Sequence, residues 1–182
     1  HYDLEKSAFL PSSPVIAGTN REVAELVWSA VPEQDVDELE VHLMRSSAQA
    51  PLVPAVPLED FLLGLAQDGL RLGVMTNDTE YGARAHLTSA GVAERFDFIA
   101  GADSGYGAKP QPGPLLAFAS QMEIAPERIA MVGDSTHDLM AGRAAGMQTI
   151  AVLTGVALAE ELQPHADVVL PNIGHIPAWL AQ

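Results

Sequence analysis

From about Leu70 onward the chain alternates short apolar runs with longer amphipathic ones, and few architectures accept such a string. Leu72-Gly73-Val74-Met75, Phe96 to Ala100, Ile129-Ala130-Met131-Val132, Thr149 to Leu153 and Asp167 to Leu170 read as short strands. Apolar runs of this kind suit strands buried on both faces. Helical stretches fall between them: about Thr79 to Ala90, one opened by Pro114, and about Thr136 to Ala145, with a last one around Ile176 to Leu180. Gly91 and Gly146 act as their C′ stops, and Leu115, Leu116 and Phe118 form the apolar side of the second. Buried strand then helix, repeated, specifies an α/β fold with a Rossmann-like, three-layer parallel sheet.

Residues before Leu58 follow another rule. Val23, Leu26 and Val27 mark a helix within Glu22 to Ala30, and Leu39, Leu43 and Met44 mark one within Asp37 to Ala50. Pro51, Pro54 and Pro57 make a stiff connector. The stretch Leu58 to Gln67 is a further helix, with Phe61, Leu62 and Leu65 toward the sheet. The division is a small helical portion and connector at 1–57, then an α/β domain at 58–182. Trp28 and Trp179 read as anchors of the core or of the helical portion.

A formal net charge of -15 over 182 residues argues against nucleic acid or an anionic membrane as partner. Any phosphate site must then be made attractive locally, by a metal ion, a lysine or backbone N–H groups. The lysines are Lys6 and Lys109 alone, so their placement is informative. With no cysteine, disulfides, thiolate zinc sites and cysteine nucleophiles are excluded. No apolar run reaches the length of a membrane span, and the expectation is a cytoplasmic protein. The chain begins at His1, so a leader removed upstream stays open on these residues.

Three segments carry chemistry. Gly133 ends an apolar strand, and Asp134 and Asp138 follow four residues apart at the start of a helix, a spacing that places both on one face. Two hard oxygen donors at the mouth of a sheet suit Mg2+. The plainer alternative makes Asp134 a helix N-cap and Asp138 a solvated residue near the helix dipole. Thr76 closes another strand, where a hydroxyl and the backbone N–H groups of a turn entering a helix can bind a phosphate oxygen; alternatively Asn77, Asp78 or Thr79 merely caps the next helix. Lys109 lies among glycines and prolines, its backbone kept from helical geometry by Pro110. It is either a counter-charge for phosphate or a solvated loop residue.

Thr76-Asn77-Asp78, then Lys109-Pro110, then Gly133-Asp134 with Asp138 resembles the haloacid dehalogenase-like hydrolase superfamily, and within it the phosphoglycolate-phosphatase-like branch. Gly91-Val92, Phe96 to Ile99 with Gly101 and Asp103, and Ala141 to Met147 add to the resemblance, which covers about Leu58 to Leu180. The helical portion at 1–57 resembles, loosely, part of that branch's helical cap. The resemblance implies that Thr76 holds the transferring phosphate beside the Asn77 N–H and that Lys109 neutralises charge there. It implies Asp134 as the Mg2+ ligand and Asp138 as partner of Lys109 or of a metal-bound water. It implies a phosphomonoester hydrolase for a small phosphorylated metabolite, with phosphoglycolate as the family-level substrate. The Gly133-Asp134 pair favours phosphate chemistry over dehalogenation.

The family's first motif, a strand ending in Asp-x-Asp, is not found. Asp35-Val36-Asp37 has the spacing but no buried strand before it. In the family that strand lies between those ending at Thr76 and Gly133, and without it neighbouring strands lose their partner. The expectation is therefore a strand and nucleophile upstream of His1, a chain that turns over no substrate alone, and a phosphoaspartyl intermediate in the whole protein. Two alternatives stay open: a non-catalytic binding module of the same fold, and a phosphomutase of the same family. His42 and His86 read as surface or boundary residues, and oligomeric state is not legible.

Overall fold

The computed structural model describes residues 2–5, 7–10 and 13–181, and Lys6 lies outside them. It opens on a short antiparallel pair, β1 (Tyr2–Asp3) against β2 (Ala8–Phe9), with the Tyr2 and Phe9 rings edge-on at 5.0 Å. Two-residue strands carry no periodicity, so nothing in the hydropathy pattern marks them.

Three helices follow: α1 (Pro14–Ala17), α2 (Asn20–Trp28) and α3 (Val36–Ser47). A capping box starts α2, in which the Thr19 hydroxyl accepts the Glu22 N–H while the Glu22 carboxylate accepts the Thr19 N–H at 2.7 Å. The Asp35 carboxylate caps α3 by accepting the N–H groups of Asp37 and Glu38. Asp37 is an exposed partner of Arg21, which also pairs with Glu40 and so clasps α2 to α3. Asp35 and Asp37 therefore belong to a helix start. Trp28 is 43% exposed and Val27 38%, so neither anchors a core; the buried residue of α2 is Ala24.

The α/β portion runs α4 (Leu58–Gln67), β3 (Gly73–Met75), α5 (Glu80–Ser89), β4 (Phe98–Ala100), α6 (Gly113–Met122), β5 (Ala130–Gly133), α7 (Thr136–Ala144), β6 (Gln148–Val152), α8 (Ala159–Leu162), β7 (Val168–Leu170) and α9 (Ile176–Leu180). Gly91 and Gly146 follow α5 and α7 with φ of +73° and +77°, as their stop positions require. On α6 Leu115 and Phe118 are buried, but Leu116 faces out.

All pairing in this portion is parallel, in two ladders: β3 with β4, and β5 with β6 with β7. Among the described residues no ladder joins β3 to β5. The Thr76 N–H donates to the Ala100 carbonyl and the Asp97 N–H to the Leu72 carbonyl, so alternation turns the polar backbone of Gly73 and Met75 away from β4. By the same argument Ala130 and Val132 turn away from β6, because the Gln148 N–H takes the Ile129 carbonyl. One apolar cluster nonetheless spans both ladders, with Phe98 and Ala100, Leu115 and Phe118, Met131 and Met147. Leu115, Leu139, Ile150 and Leu162 are fully enclosed, each contributing about 1.5–3 kcal/mol by burial. Among the described residues no helix is long and apolar enough to cross a membrane.

Candidate active site

A cavity of about 650 Å3 opens at the carboxyl ends of β3 and β5. Thr76, Asn77, Lys109, Asp134 and Asp138 all line it. The crevice beyond strand ends is where open α/β sheets hold ligands, and the volume suits a small metabolite.

Asp134 and Asp138 meet by a different route from the one their spacing suggests. Only Asp138 is helical; Asp134 precedes Ser135, the N-cap of α7. The turn folds back over the strand end, so tightly that a Cβ on Gly133 would lie 2.2 Å from the Asp138 Cβ. Ser135 and Asp138 form a capping box, with the Ser135 N–H and hydroxyl both donating to Asp138 Oδ2, at 3.1 and 2.8 Å. The other oxygen of Asp138 accepts Lys109 Nζ at 2.5 Å.

Lys109 is not a solvated loop residue: its side chain is 11% exposed and that of Asp138 is 9%. Its ammonium also donates to the Met75 carbonyl at 2.7 Å, which is one of the groups β3 turns away from β4. Asn77 holds the lysine loop from below. Its Oδ1 accepts the Lys109 N–H at 2.9 Å, and its Nδ2 donates to the carbonyls of Lys109 at 2.8 Å and Ala17 at 2.9 Å. An asparagine after a strand looks like any helix cap in sequence, so this clamp had no readable signal. The helix cap is Thr79, whose hydroxyl accepts the Gly82 N–H.

The Thr76 hydroxyl oxygen accepts the Asp78 N–H at 3.0 Å, which leaves its proton to donate. In the sequence Asp78 reads only as part of the Thr76-Asn77-Asp78 run and as a candidate helix cap. Its Oδ1 accepts Asn20 Nδ2 at 2.8 Å and the Thr79 N–H at 2.7 Å, and its Oδ2 accepts the Ser47 hydroxyl at 3.2 Å. Two helices of the N-terminal portion thus close on the strand end. His86 reinforces them, with Nε2 2.8 Å from the Ser47 carbonyl oxygen. His137 lines the cavity, while Asp103 caps α5 by accepting the Glu80 N–H.

Burial pushes the Asp134 carboxyl above its ordinary range, and the charge of Asp138 adds to the rise; Lys109 offsets it only in part. Gly155 lies against this carboxylate, where a Cβ would sit 2.6 Å from Oδ2. A desolvated, hard oxygen donor beside a second carboxylate fits a divalent cation, which would relieve that burden. Among the described residues no three or more acidic, His or Cys side chains are arranged to hold a metal ion together, so the protein's share of such a site is small, as Mg2+ tolerates.

The sequence profile of haloacid dehalogenase-like hydrolases matches residues 16–152. A phosphoglycolate phosphatase of Xanthomonas campestris pv. campestris strain 8004 is 36% identical over 136 residues, covering 72% of this chain and 61% of that protein. A phosphoglycolate phosphatase of Nitrosococcus oceani is 33% identical, covering 83% and 69%. The chain thus spans about three fifths of the Xanthomonas relative's length. Among solved structures, a predicted phosphoglycolate phosphatase from Haemophilus somnus 129PT superposes with a TM-score of 0.74 at 19% identity, over 92% of this chain and 79% of that one. The β-phosphoglucomutase of Clostridium difficile superposes at 0.59 with 20% identity, over 81% and 66%. These two likenesses establish the fold, a Rossmann-like α/β architecture. The profile match settles the family: the chain belongs to the haloacid dehalogenase-like hydrolases.

Proposed function

We propose that this member of the haloacid dehalogenase-like hydrolases works as a cytoplasmic, Mg2+-dependent phosphomonoesterase on a small phosphorylated metabolite. The observation that carries the reading is the convergence of the Thr76 hydroxyl, the Lys109 ammonium and the Asp134 carboxylate on one cavity. Thr76 donates its free proton to a phosphate oxygen. Lys109, fixed by Asp138 and the Met75 carbonyl, lies ready to balance charge that builds on the phosphoryl group. Asn77 keeps the lysine loop at that distance, and Asp138 orients the ammonium. Asp134 holds the metal, which when bound polarises the phosphate and lowers the penalty of its charge.

The attacking carboxylate belongs, on this proposal, to a strand seated between β3 and β5, which no ladder joins among the described residues. It forms a phosphoaspartyl intermediate that water then resolves. The 1–57 portion serves as part of the cap and residues 58–182 as the catalytic core. Among candidate esters, phosphoglycolate is the one that the relatives' names suggest.

Hydrolysis of p-nitrophenyl phosphate, with Mg2+ and with EDTA, tests the reading on the natural full-length protein and on residues 1–182 alone. The expected result is metal-dependent turnover by the former, abolished by Asp134→Asn and Lys109→Met, and none by the latter. Turnover indifferent to EDTA and to Asp134→Asn overturns the metal assignment. Robust turnover by residues 1–182 alone overturns the placing of the nucleophile.

A further inference from the structure

We infer that Asp78, held in place by Asn20 and Ser47, selects the alcohol portion of the substrate: phosphate esters whose alcohol carries hydroxyl or amino donors, and no carboxylate. The inference rests on the phosphate-binding reading above and narrows its substrate class away from phosphoglycolate-like acids.

Asp78 lies two residues beyond Thr76 and lines the same cavity. Its carboxylate is held by Asn20 on α2 and the Thr79 backbone N–H, with a further contact from the Ser47 hydroxyl on α3, whose one proton is shared with the Met44 carbonyl. A group fixed this firmly presents its remaining lone pairs at one position, and they are acceptors only. Val15 and Ile16 also line the cavity and give it apolar surface, suited to a short carbon chain.

Charge points the same way. Among the described residues, Lys109 is the one lysine or arginine lining the cavity, against Asp78, Asp134, Asp138 and Glu161. Its ammonium is committed to Asp138 and the Met75 carbonyl, close to the phosphate end. A phosphate can share Lys109 and the metal. A carboxylate at the other end of the ester meets Asp78 with no cation beside it among the described lining residues. Two like charges about 5 Å apart repel enough, even at an effective dielectric constant of about 20, to weaken binding by about tenfold or more.

The test is isothermal titration of the Mg2+-loaded protein with three probes: inorganic phosphate, glycerol 3-phosphate and 3-phosphoglycerate. The last two share a three-carbon backbone and differ in the carboxylate. Glycerol 3-phosphate is expected to bind at least about tenfold more tightly than 3-phosphoglycerate. Asp78→Asn, which keeps the shape, is expected to close most of that gap by strengthening 3-phosphoglycerate. Ser47→Lys, at the last residue of α3, places a cation beside Asp78 and is expected to do the same if Asp78→Asn fails to fold. Equal or tighter binding of 3-phosphoglycerate by the unmodified protein overturns the inference. So does a gap that survives in a folded variant. Failure of inorganic phosphate to bind, with Lys109→Met changing nothing, overturns the phosphate reading and this inference with it. Phosphate binding without discrimination overturns this inference alone.

Discussion

Replacing Lys109 by Met removes one partner from an enclosed ion pair and leaves the other in place. Asp138 keeps only its two bonds from Ser135, and the Met75 carbonyl loses the ammonium. With side-chain exposures of 11% and 9%, water does not readily replace what is lost. Breaking such a pair from one side costs about 3–5 kcal/mol, because a charge is left buried and uncompensated. The loss of Lys109 also removes the partial offset that acts on Asp134. For a chain of 182 residues, about 1 kcal/mol moves the melting midpoint by about 2–4 °C, so a drop of at least about 6 °C is expected. Urea unfolding at pH 7 reads the same change as a lower midpoint at constant slope. Adding Asp138→Leu to Lys109→Met should destabilise by less than the sum of the two single changes, with a coupling of about 2 kcal/mol or more. A single-variant cost under about 1 kcal/mol, or strict additivity, would show that the pair is solvated and that the argument from enclosure is wrong.

Other consequences are as direct. Thr79→Ala removes the hydroxyl that accepts the Gly82 N–H and should cost about 1 kcal/mol by urea unfolding; no change would mean that α5 is capped otherwise. Gly155→Ala drives a Cβ against Asp134 and should weaken the response of thermal stability to added Mg2+ at least about tenfold in concentration, while an unaltered titration would place the cation elsewhere. The Ser104 hydroxyl and then Arg84 hold the Glu80 carboxyl below its usual range, and the Thr149 N–H and then Arg143 do so for Asp167. Both folded values are below the unfolded ones. Their contribution is therefore full above the unfolded carboxylate range and lost as pH falls through the folded values, below about pH 4. Asp134, shifted the other way, gains in relative stability as it protonates. Urea midpoints from pH 7 to 3 should fall at the acid end, and Glu80→Gln with Asp167→Asn should flatten that fall; an identical profile refutes the assignment.

Much of this was legible before any coordinates. The runs ending at Met75, Val132 and Leu153 hold strands because largely apolar stretches of four or five residues have few other uses, although β6 stops at Val152, one residue short of its run. α4 begins and ends at the residues expected, and Thr76 and Asp134, at strand ends, share a cavity with Lys109 from the loop beyond β4. What pattern could not supply was orientation. Leu116 has the composition of a core residue and faces out, and Trp28 does likewise, since a hydropathy period fixes a stripe only to within a neighbouring position. Asp134 and Asp138 have helical spacing, yet a turn brings them together.

Sequence alone determined the kinds of chemical group available and the alternation of the longer strands and helices from Leu58 onward, because periodicity, glycine stops and strand-end polar residues are local properties of the chain; the two-residue β1 and β2 and the four-residue α1 and α8 are too short to carry such a signal. Tertiary structure decided which of those groups are bound to one another. Asn77 clamps a loop 32 positions away and Asp78 takes Asn20 from 58 positions away, contacts that no local preference encodes. Such bonds exist only once packing has closed the distance and excluded the water that would otherwise satisfy the same atoms.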